Sequence, residues 1–193
     1  LGTTLKFMSE FISKLTDVLL EIQPDIIIVL GDRAEALAGA IAGQYLNIPV
    51  AHISGGDTSG HVDDATRNAI TKLAHIHFPI TWQSAKKIIS MGEKEQRVFV
   101  VGSTSLDALK QKKLLAKEEV AKKYHLDLSA PYVLVLQHSV ISEIDKIEKN
   151  MRNLLEVIVA LKLPSIIIYP NTDAGGKKII KVIKEYKKYS FLQ

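Results

Sequence analysis

The chain has 193 residues, 47% hydrophobic and 24% charged, and its 25 Lys plus Arg against 21 Asp plus Glu give a formal charge of +4. High apolar content at low net charge excludes a disordered chain, and no apolar run approaches the roughly 18–20 residues of a membrane-spanning helix. Cysteine is absent, which excludes a disulfide framework and a thiolate metal site and favours a reducing, intracellular setting.

The first predicted element is a helix over residues 5–22. Leu5, Met8, Ile12, Leu15, Leu19 and Ile22 recur at spacings of 3 and 4, unlike the continuous apolar run of a signal peptide, so nothing marks export. Pro24 ends it. Residues 26–30 then form a short run of Ile, Val and Leu without alternation, as expected of a strand buried on both faces of a parallel sheet. An alanine-rich helix over 34–45 and a strand over 48–53 follow. After a polar stretch come a helix near 65–74, a strand at 76–80, a helix at 83–90 and a strand at 98–101.

The middle is different. Residues 110–123 read as a highly charged helix, and Asp127-Leu128-Ser129-Ala130-Pro131 breaks the chain. Strand, helix, strand and helix then recur over 132–136, 142–161, 165–169 and 176–189, with Ser142 and Asp145 spaced as a capping box. Alternating strands and helices predict an α/β class with parallel sheets. The expected organisation is two doubly wound Rossmann-like units, 1–111 and 131–193, joined by a connector over 112–130. Four strands in the first and two in the second are too few for complete doubly wound domains, so both are expected to be incomplete.

The basic character is local. Residues 176–193 hold six lysines and one glutamate, net +5, leaving −1 for the rest. No aromatic-interleaved patch or recognised module accompanies them, so a solvated helix face is expected and no nucleic-acid partner.

In open α/β sheets, ligands bind beyond the carboxyl ends of the strands. After the first strand stand Gly31-Asp32-Arg33, where Asp32 either faces the crevice or caps the next helix. Residues 52–67 hold three glycines, three carboxylates, two histidines and an arginine. Such a loop lets backbone amides approach a ligand. Asp63 and Asp64 precede a helix, so one of them is a candidate N-cap, and neighbouring carboxylates also suit acid/base work. His52, His61, His75 and His77 match no metal-ligand spacing and read as strand-end or core histidines; no metal is expected. His138 follows a strand of the second unit, and Pro170-Asn171-Thr172-Asp173-Ala174-Gly175-Gly176 is a glycine-bearing strand-to-helix turn, unlike the common nucleotide loops.

Gly31-Asp32-Arg33, His52-Ile53-Ser54-Gly55-Gly56-Asp57, the run from Asp63 through Arg67-Asn68 to His77, Gln137-His138 and Pro170–Gly175 together resemble the UDP-N-acetylglucosamine 2-epimerases, closest to the hydrolysing branch of sialic-acid-type sugar synthesis. The resemblance covers essentially the whole chain and implies two doubly wound domains of GT-B type. The family's first strand and its later serine-glycine loop are not matched. It implies elimination of UDP with removal of the C2 proton, then water addition to give N-acetylmannosamine. Asp32 and Asp63 match acid/base carboxylates, with Asp64 a close neighbour and Asp57 a possible substitute. Arg33 and His138 match diphosphate-facing positions and Asn171 a nucleotide-facing one. Ser54, Gly55, Gly56, Arg67 and Asp173 join the expected substrate contacts. At Ser54 many members carry glutamate, and serine cannot replace that base unaided. Ser139 stands where the family usually has proline. The resemblance further implies UDP-N-acetylglucosamine as substrate, no cofactor, no membrane, a cytoplasmic location and a homo-oligomer. A non-hydrolysing epimerase, a nucleotide-sugar glycosyltransferase and an inactive sugar-nucleotide binder are the alternatives.

Overall fold

The computed structural model describes residues 2–60, 63–111, 114–124, 126–129, 131–140 and 143–192. The chain divides into two compact units, 1–113 and 114–193.

In the first unit, α1 (Gly2–Ile22) leads to β1 (Ile27–Leu30), α2 (Ala34–Leu46), β2 (Val50–Ile53), α3 (Asp63–Leu73), β3 (Ile76–Phe78), α4 (Trp82–Ser90) and α5 (Thr104–Gln111). The three strands form one parallel sheet in the order β1-β2-β3. Leu30 pairs with Ile53 and Ile53 with Phe78, so the turns after all three strands emerge along one edge.

The alanine-rich α2 lies close against the sheet because it is nearly bare. A Cβ on Gly43 would stand 2.4 Å from Val50 Cγ2, and one on Gly39 3.1 Å from Val29 Cγ1. Val29, Ala36, Ala40, Val50, Ile70 and Ala74 make the core of this layer. Complete burial of Ile70 alone contributes about 2 kcal/mol.

Several expectations need correction. Residues 98–101 are not a strand: Val98 makes a single bridge to His77, and Phe99 and Val101 donate to the His77 and Pro79 carbonyls. Two bonds guide the segment along β3 without extending the ladder. Val50, Ala51 and His52 of β2 are buried on both faces, but β1 is not: its Ile28 and Leu30 are 63% and 57% exposed while Val29 is buried. A run of Ile, Val and Leu satisfies one buried face as readily as two, so the pattern could not separate the cases.

In the second unit, α6 (Lys117–Tyr124) precedes β4 (Val133–Leu136), α7 (Ile147–Leu161), β5 (Ser165–Ile168) and α8 (Gly176–Glu185). Strands β4 and β5 pair in parallel, Leu136 opposite Ile168, so the turns after both lie side by side. Val135, Ile147, Met151, Leu155, Ile158, Ile179, Val182, Ile183 and Tyr186 form one core against one sheet face. On the other face Leu134 and Leu136 are exposed.

Here too the helices are shorter than expected. The charged stretch is not one helix, since residues 114–116 separate α6 from α5. Helix α7 begins at Ile147 with Lys146 at its N-cap and no side-chain cap; Ser142 of the expected capping box lies outside the described residues. Helix α8 stops at Glu185.

Candidate functional site

The parallel register delivers Gly31-Asp32-Arg33, residues 54–60 and the start of α3 to the same sheet edge. Gly31 has φ +72° and donates its amide to the Ile53 carbonyl, which turns the chain back over β2.

Asp32 does not cap α2. The N-cap is Arg33, which makes no side-chain cap bond, and Asp32 Oδ2 instead takes a charge-assisted bond from Arg67 Nη2. Arg67 is 9% exposed and is the hub of the edge. Its Nη1 donates to Asp64 Oδ1 at 2.7 Å and to the Asp57 carbonyl at 3.0 Å. A planar guanidinium suits this role, since its donors fan out in a fixed fork. Arg67 therefore ties together the turn after β1, the loop after β2 and α3. Arg33 is exposed and pairs with Glu35 at 3.3 Å.

Asp64 organises the loop. It accepts from the Ser59 amide and hydroxyl at 2.8 Å each and from the Gly60 amide at 2.9 Å. These bonds, the Ser59 amide foremost, with the Gly60 amide and the Arg67 charge, hold its carboxyl well below the usual carboxylate range. Such a group is a poor proton donor. Asp57 is turned toward α4, where its Oδ1 accepts from Ser84 Oγ at 2.6 Å. Lys87 reaches the same loop at Thr58 Oγ1, 2.9 Å. Asp63, the first residue of α3, is exposed, and its carboxylate makes no hydrogen bond or ion pair with a described residue.

The glycines of the loop carry separate constraints. Gly56 has φ +80°, and a Cβ there would stand 2.3 Å from the Ser84 carbonyl oxygen. A Cβ on Gly55 would stand 2.8 Å from His52 Nδ1 and 3.0 Å from Thr71 Oγ1. Ser54 is left-handed at φ +62° although it is not glycine. Such residues cluster where a site dictates the backbone.

His52 is the residue that sequence reasoning undervalued. It is fully buried, with Nε2 2.8 Å from the Gly31 carbonyl oxygen and Nδ1 3.1 Å from Thr71 Oγ1. Burial pushes its pKa below the ordinary histidine value, partly opposed by the Gly31 carbonyl. Its place as the penultimate residue of β2, three residues before Gly55, was the available signal. His77, its register partner, is also fully buried, 3.3 Å from Glu93 Oε2, and burial lowers its pKa as well. His75 Nδ1 accepts from the Val50 amide. His61 lies outside the described residues. Among the described residues no three histidine or carboxylate side chains converge as metal ligands.

In the second unit, His138 and Asn171 do meet. The Asn171 amide donates to His138 Nδ1 at 3.2 Å, and the Asn171 side chain exchanges bonds with Asp173, Nδ2 to Oδ2 at 2.7 Å and Oδ1 from the Asp173 amide at 3.3 Å. Gly175, at φ +95°, leads directly into α8, so this cluster sits at a helix N-terminus. The helix dipole favours an anion there.

Known proteins share this arrangement of elements. The sequence profile of the family described as UDP-N-acetylglucosamine 2-epimerase matches residues 2–193. A "UDP-N,N'-diacetylbacillosamine 2-epimerase (hydrolyzing)" of Legionella pneumophila is 41% identical over 171 residues, 89% of this chain and 45% of its own length. A UDP-N-acetylglucosamine 2-epimerase of Neisseria meningitidis is 35% identical over 192 residues, all of this chain and 50% of its own. The crystal structure of UDP-GlcNAc 2-epimerase from Neisseria meningitidis bound to UDP-GlcNAc superposes with a TM-score of 0.79 at 22% identity, covering 98% of this chain and 54% of that one. The fold is thus α/β and doubly wound, of GT-B type. The chain spans about half the length of the curated relatives it matches.

Proposed function

From the premise that this chain belongs to the UDP-N-acetylglucosamine 2-epimerase family, we propose that the protein is a hydrolysing 2-epimerase, converting UDP-N-acetylglucosamine to N-acetylmannosamine and UDP. The observation that carries the site reading is the Asp32 carboxylate, held beyond the end of β1 by the buried Arg67.

The C2 proton of the sugar is weakly acidic, and the C1–O bond to the diphosphate breaks with positive charge developing at C1. A carboxylate beside the ring serves both needs: it accepts the proton and stabilises the charge. Elimination gives UDP and a 1,2-unsaturated sugar. Water then adds across the double bond, hydroxyl to C1 and proton to C2 from the opposite face. Asp32 and the exposed Asp63 are assigned to these proton transfers. Asp64, with three loop donors and Arg67 on its carboxylate, is assigned to shaping the loop. Arg67 serves by aiming carboxylates. Asp57 holds the loop to α4, and Ser54, Gly55 and Gly56 form its backbone wall. In the second unit His138, Asn171 and Asp173, beside the α8 N-terminus, are assigned to the UDP moiety, as is the exposed Arg33 of the first. The two units are read as the later part of the first doubly wound domain and the opening of the second. A cytoplasmic homo-oligomer working in sialic-acid-type sugar synthesis completes the reading.

A second substrate has support of its own. The 41% identical relative is named for UDP-N,N'-diacetylbacillosamine, whereas the UDP-N-acetylglucosamine relative is 35% identical. Both are UDP-2-acetamido sugars and need the same chemistry at C1 and C2.

The test is to incubate the full-length protein with each sugar nucleotide in heavy water and follow products by NMR. The proposal expects free 2-acetamido sugar, released UDP and deuterium at C2. A UDP-linked epimer with deuterium at C2 would replace it with a non-hydrolysing epimerase. Transfer to an acceptor without label would replace it with a glycosyltransferase. Asp32→Asn and Asp63→Asn should each lower turnover by roughly 10²-fold or more; unchanged UDP release in both would overturn the assignment.

A further inference from the structure

We propose that His52 is a positioning residue for the reaction: through Gly31 and Thr71 it sets the distance between the backbone segments that carry Asp32 and Arg67. The inference rests on the acid/base role assigned above to Asp32.

Five residues close a ring. Gly31 precedes Asp32; Asp32 pairs with Arg67; α3 carries Arg67 and Thr71 one turn apart; Thr71 Oγ1 stands 3.1 Å from His52 Nδ1; and His52 Nε2 returns to the Gly31 carbonyl at 2.8 Å. Apart from Asp32, the side chains of the ring are buried or nearly so. The Asp32–Arg67 pair spans the solvent side, and the His52 imidazole spans the core side. Gly55 lies against the His52–Thr71 bond so closely that no side chain fits there, which locks the imidazole from the loop side.

The chemistry of the partners sets the tautomer. A carbonyl oxygen only accepts, so Nε2 must carry the proton that meets Gly31. In the neutral ring Nδ1 is then an acceptor, and the Thr71 hydroxyl donates to it. Arg67's carbonyl has its helical amide partner and does not require that proton. His52 thus presents a donor to the turn and an acceptor to the helix at a fixed separation, which a rigid planar ring holds better than a flexible side chain. Losing the ring frees Gly31's carbonyl and lets the Asp32 turn shift. A shift of about 1 Å at a reacting group costs up to 10²-fold in rate.

The experiment compares His52→Gln, His52→Leu and Asp32→Asn in the full-length protein, reading kcat, KM and melting temperature. Glutamine keeps a donor near the position of Nε2; leucine keeps neither bond. His52→Leu should lower kcat ~10-fold or more with KM within about threefold, and His52→Gln should restore kcat to within about threefold of the parent. Equal kcat losses in the two variants, or a change confined to KM or melting temperature, would overturn the inference. If His52→Leu does not fold, Thr71→Val removes the Nδ1 partner at constant shape and should lower kcat in the same sense; parental kcat in Thr71→Val would overturn it. Nitrogen-15 NMR of the parent's imidazole should show the proton on Nε2, and a proton on Nδ1 alone would overturn it independently of any activity. Asp32→Asn with parental turnover would sink the assigned role of Asp32; a normal Asp32→Asn loss without the glutamine–leucine difference would sink only the role of His52.

Discussion

Asp32 and Arg67 lie 35 residues apart in sequence and form one ion pair, with the Arg67 side chain 11% and the Asp32 side chain 26% exposed. Arg67 reaches Asp64 and the Asp57 carbonyl with its other nitrogen, so one side chain fixes two carboxylates and a loop. Lysine offers one ammonium and no fork. Arg67→Lys should lower kcat ~10-fold or more. Arg67→Met, which leaves the carboxylates without their cation, should also lower unfolding free energy by about 2 kcal/mol, below the range for fully buried pairs because this one is partly solvated. Urea denaturation beside steady-state kinetics checks both. Parental kcat in Arg67→Lys would show that the fork is not needed.

Gly56 and Gly60 form a matched pair for testing the loop. Both are left-handed, at φ +80° and +77°, but a Cβ on Gly56 would meet the Ser84 carbonyl while one on Gly60 meets open space. Alanine at Gly60 should cost about 1 kcal/mol, the price of the left-handed backbone alone. Alanine at Gly56 should cost that plus displacement of α4, about 3 kcal/mol in all. Denaturation midpoints decide it, and equal losses at the two positions would contradict the clash.

Ser54 stands where the family resemblance expects a glutamate, and no described group takes its hydroxyl as a partner. If Asp32 and Asp63 carry the proton transfers, the hydroxyl is dispensable. Ser54→Ala should keep kcat within about threefold of the parent, and Ser54→Gly should raise stability by about 1 kcal/mol by relieving φ +62°. A tenfold loss of kcat in Ser54→Ala would return the hydroxyl to the chemistry.

How far the sequence foretold these relationships depended on whether a feature is local. The order of β1, α2, β2, α3, β3 and α4 was legible from short apolar runs and alanine-rich or amphipathic stretches. The segment at 98–101 misled, because Val, Phe and Val look the same whether they join a ladder or only run beside one. Gly31-Asp32-Arg33 was marked as a site by its place after a strand, yet nothing local distinguished an Asp32 that caps α2 from one that pairs with Arg67. That choice is made by the parallel register, which sets Leu30 beside Ile53. For the same reason His52 read as a core histidine: its two partners lie 21 and 19 residues away.

His77 gives a pH prediction with a definite sign. It is fully buried, its pKa is lowered by burial against the opposing pull of Glu93, and Lys72 and Arg97 add like charge. A histidine whose folded pKa lies below its unfolded value, about 6.5, is native in its neutral form. Below that pH the unfolded chain binds a proton that the native chain does not, so stability is fully present above it and is lost as pH falls. The limiting slope is about 1.4 kcal/mol per pH unit for one such group. His52, shifted in the same direction, adds to the fall in the parent and is common to both proteins of the comparison. His77→Gln removes one titrating group and leaves the rest. Unfolding free energies at about pH 7.5 and pH 5.5 should show the variant losing roughly 1 kcal/mol less than the parent over that interval. An equal loss would mean that His77 takes up its proton in the folded state, paired with Glu93 as an imidazolium at 3.3 Å.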